Sequence, residues 1–259
     1  MSDILLTSSN TKYFENILNK KKCKLCILIF GCAVVPEYKE QIDNILETWG
    51  KDCDKNDVPF FVFIGKNIDE YKKNEHIISL ENQNVKDDYN SAAFKQYIGM
   101  QWILSRYDTE FLFIAGSDTY PNSTGLLNLL ENFNCDNSEY IGDGVFTCQV
   151  FNHKIQMHSG AAGFILSRAA LNIIEPYLYQ FNDRWQHLIT SWYGPDSLYM
   201  PACDVSIALF AFIKGVTFVR REGFHDLQWH ACPNINNIVS CHHMKKKECL
   251  DYYEYLNKR

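Results

Sequence analysis

The chain has no long hydrophobic run. No stretch approaches the roughly 20 consecutive apolar residues that a membrane-crossing helix needs, so no membrane segment is expected in it. The opening residues, Met1 to Asn10, lack both a basic start and an extended apolar core. They do not read as a secretory signal, and a cytoplasmic location is the expectation. A long basic stripe is also missing. Lys and Arg number 25 against 31 Asp and Glu, for a formal charge of −6. Nucleic acid is therefore not an expected partner. The short runs Lys20–Lys22 and Lys245–Lys247 read as solvated faces. Internal repeats, low-complexity tracts and Pro/Gly/Ser-rich linkers are absent. One domain, residues 25–259 behind an N-terminal arm of residues 1–24, is the economical organisation.

Cysteine is not scarce. There are ten, at 23, 26, 32, 53, 135, 148, 203, 232, 241 and 249. Without a signal the default is reduced thiols, with disulfides left open for the five from Cys135 to Cys241. Four of the eight histidines, His225, His230, His242 and His243, fall among the last three cysteines. Their spacings match no common zinc ribbon or finger. Cys23 and Cys26 lie on one predicted strand at an odd offset, which sends them to opposite faces. Structural zinc is not expected.

The composition, 46% hydrophobic and 22% charged, is that of an ordinary globular protein. Short apolar runs at Leu25–Val35, Pro59–Ile64, Ile77–Leu80 and Phe111–Ala115 read as buried strands. Between them, Pro36 opens one helical stretch and Ser91–Arg106 forms another. This alternation indicates a parallel, doubly wound sheet. The second half is less regular. A helix is expected at Thr124–Phe133, extended chain at Tyr140–Phe151, and a small-residue loop at His158–Gly163. A helix capped by Ser167 should end near Pro176. Further helices are expected at Cys203–Lys214 and Met244–Asn257, with a strand at Val216–Val219.

Candidate chemistry collects at the ends of these elements. Asp118 follows the most apolar strand, where α/β sheets present ligand residues. It reads either as a turn residue or as a ligand for a hard cation. Gly160 and Gly163 let backbone approach a ligand closely, or simply pack tightly. Asp204 precedes an apolar helix and reads as an N-cap or as a general base. One of the clustered histidines is the candidate partner for Asp118.

Six stretches in this order resemble the inverting β1,3-glycosyltransferases of family 31, which include Fringe and core 1 β1,3-galactosyltransferase. Ile45-Leu-Glu-Thr-Trp-Gly50 is similar to the family's Ile-Arg-x-Thr-Trp-Gly segment. Asp87-Asp-Tyr-Asn-Ser-Ala-Ala-Phe-Lys95 is similar to its Asp-x-Tyr…Lys segment. Ala115-Gly-Ser-Asp-Thr-Tyr120 resembles its Ala-Asp-Asp-Asp-Thr-Tyr metal motif. Ser159-Gly-Ala-Ala-Gly-Phe-Ile-Leu-Ser-Arg168 resembles its Ser-Gly-Gly-Ala-Gly-Tyr-Val-Leu-Ser segment. Cys203-Asp-Val and Ser240-Cys-His-His-Met244 resemble its Glu-Asp-Val and Ser-Phe-His-Tyr-Val segments. There are departures. Gly116 and Ser117 replace the first two acids of the metal motif, Leu46 replaces an Arg, and Cys203 replaces an acid before the base.

The resemblance implies a GT-A fold, a Rossmann-like mixed, mostly parallel sheet flanked by helices. It implies a UDP-sugar donor and a glycan or glycoprotein acceptor, joined in a β1,3 linkage. Asp118 and His242 would hold Mn²⁺ or Mg²⁺, with His243 and His225 as fallback ligands. Asp204 would be the catalytic base. Gly160 and Ala161 would lie under the donor sugar, and Ser117 would line the substrate site. Asp87 and Lys95 would contact the nucleotide, against the alternative of a lysine solvated on a helix face. The lost acids motivate a second expectation, a non-catalytic carbohydrate-binding or partner protein of the same fold. A zinc-dependent or nucleotide-hydrolysing enzyme is a third.

Overall fold

The computed structural model describes Glu15 and residues 17–258. Most of the expected N-terminal arm lies outside those residues, but its end does not. β1 (Lys21–Phe30) begins four residues before the expected boundary. Then follow α1 (Pro36–Glu47), α2 (Trp49–Lys55), β2 (Phe60–Ile64), β3 (Ile77–Ser79), α3 (Ala92–Arg106) and β4 (Tyr107–Gly116). The second half contains β5 (Tyr120–Pro121), α4 (Ser123–Leu130), β6 (Glu139–Gly142), β7 (Phe146–Val150), β8 (His153–Met157) and β9 (Phe164–Ser167). It ends with α5 (Arg168–Ile174), α6 (Leu178–Tyr193), α7 (Cys203–Ile213), β10 (Thr217–Arg220), β11 (Phe224–His225), β12 (Ser240–Cys241) and α8 (Lys246–Asn257).

Seven strands form the main sheet in the order β10-β6-β9-β4-β1-β2-β3. β1 to β4 are mutually parallel and β10 is parallel to β6, whereas β9 runs antiparallel to both β4 and β6. The sheet is thus mixed and mostly parallel. Alternation along the strands builds two cores. Cys26 and Leu28 of β1 face one side with Leu112 and Ile114 of β4, covered by α3, α5, α6 and α7. Leu25, Ile27 and Ile29 face the other side with Phe111 and Phe113, under α1, α2, α4 and α8. These strand side chains are nearly inaccessible, and each large one stabilises the fold by about 1.5–3 kcal/mol. Because β1, β2 and β4 run the same way, Gly31, Gly65 and Gly116 emerge along one edge.

Three elements differ from the sequence reading. The extended stretch Tyr140–Phe151 is two strands separated by Asp143-Gly144-Val145, and β7 forms a separate hairpin with β8. α6 was assigned no element, although Leu178, Phe181, Trp185 and Ile189 recur at helical spacing and are all buried. β9 is antiparallel because its chain enters the sheet from the hairpin, at the edge where the parallel strands end. The Ser167 cap is present, with its Oγ accepting from the Ala170 N–H at 3.3 Å. All ten cysteines are free thiols. Among the described residues no helix is long and apolar enough to cross a membrane.

Candidate functional site

The strand ends supply the first half of the site. β4 closes in a tight turn in which Thr119 N–H donates to the Gly116 carbonyl, and Asp118 projects from that turn. The next residues form β5, which pairs antiparallel with β12 in a small sheet: Tyr120 lies opposite Cys241 and Pro121 opposite Ser240. Extending that register by two residues carries His242 and His243 back over the Asp118 turn. The Met244 N–H donates to the Asp118 carbonyl at 3.1 Å and fixes the crossing. His242 Nε2 then lies 2.9 Å from Asp118 Oδ2.

His243 joins the pair. One donor atom each from Asp118, His242 and His243 lies within 4.8 Å of the others, and they are the one such metal-capable group among the described residues. His243 holds this place with φ +55°, a left-handed conformation that costs a non-glycine residue about 1 kcal/mol or more. The Nδ1 atom of His242 is buried without a hydrogen-bond partner. A carboxylate oxygen with two imidazole nitrogens is a donor set that fits a divalent transition ion. Burial alone would raise the Asp118 carboxyl, but the hydrogen bond and charge of His242 outweigh it, so it lies below the ordinary value. His225 does not join the group. Burial lowers its pKa, and the charges it meets are those of Asp143 and Asp226. Cys232, Cys241 and Cys249 form no metal group with the histidines.

The small-residue loop supplies the second half. Thr119 Oγ1 donates to the Ala161 carbonyl at 2.8 Å, and Ser240 Oγ donates to the Ala162 carbonyl. The loop is therefore tied to the neighbours of both Asp118 and His242. At its other side the Gly160 N–H donates to Asp204 Oδ2 at 3.2 Å. A Cβ on Gly160 would lie 2.5 Å from the Asp204 Cβ, so the missing side chain is the room Asp204 occupies. Gly163, at φ +78°, has Phe113 at 2.4 Å from the same imagined atom and needs glycine on both counts. His158, at the head of the loop, is fully buried, and burial pushes its imidazole down to about 4.

Asp204 does not cap α7. Ala202 occupies the N-cap, and Asp204 sits in the first turn with Oδ1 accepting from the Val205 N–H at 2.8 Å. Burial raises its carboxyl above the ordinary value, and the nearby Asp226 raises it further, against backbone donors that lower it. A base that holds its proton more tightly is a better acceptor for a hydroxyl proton. Tyr89, 64% exposed, lies near enough to Asp204 and Asp118 to feel the charges of both.

Beside Asp118 lies a cleft of about 140 Å³ whose lining includes Gly31, Tyr38, Tyr89, Lys95, Ser117 and Asp118, while Asp204 is not part of that lining. Ser117 Oγ donates to Gln41 Oε1 of α1. Lys95 is not a solvated lysine on a helix face. It is 1% exposed, and its Nζ donates to the Gly31 carbonyl at 2.7 Å and to Asp87 Oδ1 at 2.8 Å. The Asp87 carboxylate also accepts from the N–H groups of Ala33 (2.7 Å), Val34 (3.2 Å) and Gly65 (2.7 Å). These two residues lock the ends of β1 and β2 to α3, and Lys95 forms part of the wall of the cleft. Sequence reasoning missed Tyr38, Gln41, Tyr89 and Asp226. Tyr89 lies in the Asp-x-Tyr segment but was given no role there, the stretch after Pro36 was the hint for Tyr38 and Gln41, and Asp226 sits in no recognisable spacing.

Comparison with known proteins places this arrangement. The family model described as Fringe-like matches residues 36–247. No curated protein sequence matches the chain. Among solved structures, a glycosyltransferase involved in the glycosylation of the major capsid of PBCV-1 is similar with a TM-score of 0.52 at 10% identity, over 90% of this chain and 100% of the other. A mutant Drosophila β1,4-galactosyltransferase 7, in complex with manganese, UDP-Gal and xylobiose, is similar with a TM-score of 0.41 at 10% identity, over 85% of this chain and 71% of the other.

Proposed function

The chain belongs to the Fringe-like family of glycosyltransferases, and on that premise we propose that it is a metal-dependent, inverting glycosyltransferase. In this reading it moves a sugar from a UDP-sugar to a hydroxyl of a glycan or glycoprotein, forming a β1,3 linkage. The observation that carries the reading is the β5–β12 register, which seats two imidazoles on Asp118 while the loop bonded to Thr119 and Ser240 holds Asp204.

Asp118, His242 and His243 would hold the ion, and their imidazoles favour Mn²⁺ over Mg²⁺, which prefers all-oxygen sites. When bound, a divalent ion offsets the charge that grows on the diphosphate leaving group. Asp204 accepts the proton of the acceptor hydroxyl as its oxygen attacks the anomeric carbon from the face opposite the diphosphate. The new C–O bond forms as the bond to phosphate breaks, and the configuration inverts. A positioned base of this kind contributes typically about 10²–10⁴-fold in rate. Gly160 and Ala161 present backbone, without bulk, beneath the donor sugar. Ser117 lines the donor cleft, and Asp87 with Lys95 shapes its nucleotide end from the wall. The retention of an acid at Asp204 and of a metal-capable group at Asp118, His242 and His243, despite Gly116 and Ser117, supports this reading over a non-catalytic relative. We also infer that residues 25–259 work as one domain.

The test is thermal melting with Mn²⁺ and UDP, singly and together. Binding to the native state at a hundred times Kd stabilises by about 2.7 kcal/mol, so the pair should raise Tm by several degrees where either alone does little. No shift with the pair, and no transfer or hydrolysis of any UDP-sugar in a panel, would refute the reading.

A further inference from the structure

A second, larger cavity of about 400 Å³ adjoins the cleft, and nothing in the mechanism above uses it. Asp88 lines both spaces. Its floor holds Asn182 of α6, which is only 4% exposed. The Oδ1 atom of that side chain is buried with no hydrogen-bond partner. Buried amide oxygens are almost always paired, and this one, on a residue that lines the cavity, is left able to accept from a donor brought there. Around it stand Asn90, Asp183 and Gln186, whose flat polar ends are exposed, while Phe94 and Met200 give an apolar wall. Lys86 is the one basic side chain of the lining, against Asp88 and Asp183, so the cavity does not favour an anion. Its volume is that of a small-ligand site, roughly 300–1,000 Å³. Amides and a carboxylate facing an apolar strip match a neutral polyhydroxylated ring: hydroxyls to the former, C–H face to the latter. The lining also reaches Met200, in the chain that leads into α7. Met200 stands four residues before Asp204, and the Trp185 Nε1–H of α6 pins the Tyr199 and Met200 carbonyls at 3.1 and 3.2 Å.

We propose that this cavity is a subsite for the second sugar of an oligosaccharide acceptor, with Asn182 at its floor. The assignment of that sugar as acceptor rests on the glycosyltransferase reading, whereas binding of a saccharide there does not. The experiment therefore omits the donor. Ligand-observed NMR would measure binding of methyl hexosides and of their 1,3- and 1,4-linked disaccharides to the protein and to Asn182→Leu. That near-isosteric change extends the apolar face of α6. Calorimetry with UDP and Mn²⁺ reports separately on the donor site. At least one disaccharide should bind about tenfold more tightly than its monosaccharide, as expected for one well-placed hydrogen bond. Asn182→Leu should erase that advantage and leave UDP binding unchanged. The exposed rim variant Gln186→Ala should weaken the same disaccharide by about two- to threefold. No disaccharide advantage in the native protein, or an advantage that survives Asn182→Leu, overturns the proposal. Loss of disaccharide binding in Asn182→Leu from a protein that binds no UDP upholds the subsite and refutes the enzyme reading instead.

Discussion

Replacing Lys95 by Met separates a wall of the cleft from a contact with the ligand. The Lys95 and Asp87 side chains are each 2% exposed and 2.8 Å apart. Removing one member of a buried ion pair typically costs about 3–5 kcal/mol, because the other charge stays behind uncompensated. Three backbone N–H groups still reach the Asp87 carboxylate, which argues for the lower end, about 3 kcal/mol. For a chain of this size each kcal/mol shifts Tm by about 2–4 °C, so Lys95→Met should lower Tm by roughly 6–12 °C. The pH dependence follows from Asp87. Burial raises its carboxyl, but the bond and charge of Lys95, with the Gly65 and Ala33 N–H groups, bring it below the ordinary value. A folded pKa below the unfolded value, about 3.9, gives stability that is present above that pH and is lost as pH falls through the folded value. Without Lys95 the carboxyl is easier to protonate, so the Tm gap between the two proteins should narrow on acidification towards pH 4. Circular-dichroism melts across pH measure both effects. UDP binding, read well below the variant's Tm, should change little. A Tm drop under 2 °C combined with lost UDP affinity would mean that Lys95 touches the nucleotide, and the wall argument would be wrong.

Three other outcomes are expected. Gly160→Ala places a methyl group 2.5 Å from the Asp204 Cβ; turnover should fall at least about 100-fold, the value of a positioned base, with UDP affinity retained, and unchanged turnover would show that Asp204 need not stay where it is. Asp204→Asn should abolish transfer, and in the native protein kcat/KM should rise with pH through a group above the ordinary carboxylate value of about 3.9, because burial raises this acid; a profile flat from pH 4 to 7 would point to another base. His242→Ala should remove Mn²⁺-dependent stabilisation by UDP while leaving the metal-free melt within a few degrees, and a retained manganese effect would take the ion away from this group.

The parts of the fold that rest on local pattern were legible. β2 is an unbroken apolar run and β4 contains one at residues 111–115, α1 starts at its proline, and Ser167 caps α5. α6 was legible too, by the spacing of Leu178, Phe181, Trp185 and Ile189, but its polar insertions, Asn182-Asp183-Arg184, obscured the period. The β7–β8 hairpin was not legible, because exposed Phe146, Thr147 and Gln149 on β7 give no buried face to read. At the site, Asp118 was marked by the strand before it. The approach of His242 is a register between two-residue strands more than a hundred positions apart, which no periodicity encodes. It came from family likeness alone. The burial of Lys95, which excludes the solvated alternative, was hidden for a related reason: its partners are carbonyls and a carboxylate delivered by β1 and the loop before α3, and a lysine's burial depends on what the fold brings to it.

The two-residue strand at Ser240–Cys241 bears on biosynthesis. It closes a loop of about 120 residues against Tyr120–Pro121, and contacts that distant are slow to form, because chain entropy must be overcome before they give anything back. A ribosome that has released the first two hundred residues has delivered the acid, the glycine loop and most of the scaffold, but no imidazole to set beside Asp118. The proposed ion-holding group therefore becomes complete only with His242 and His243, after every strand of the main sheet has been made.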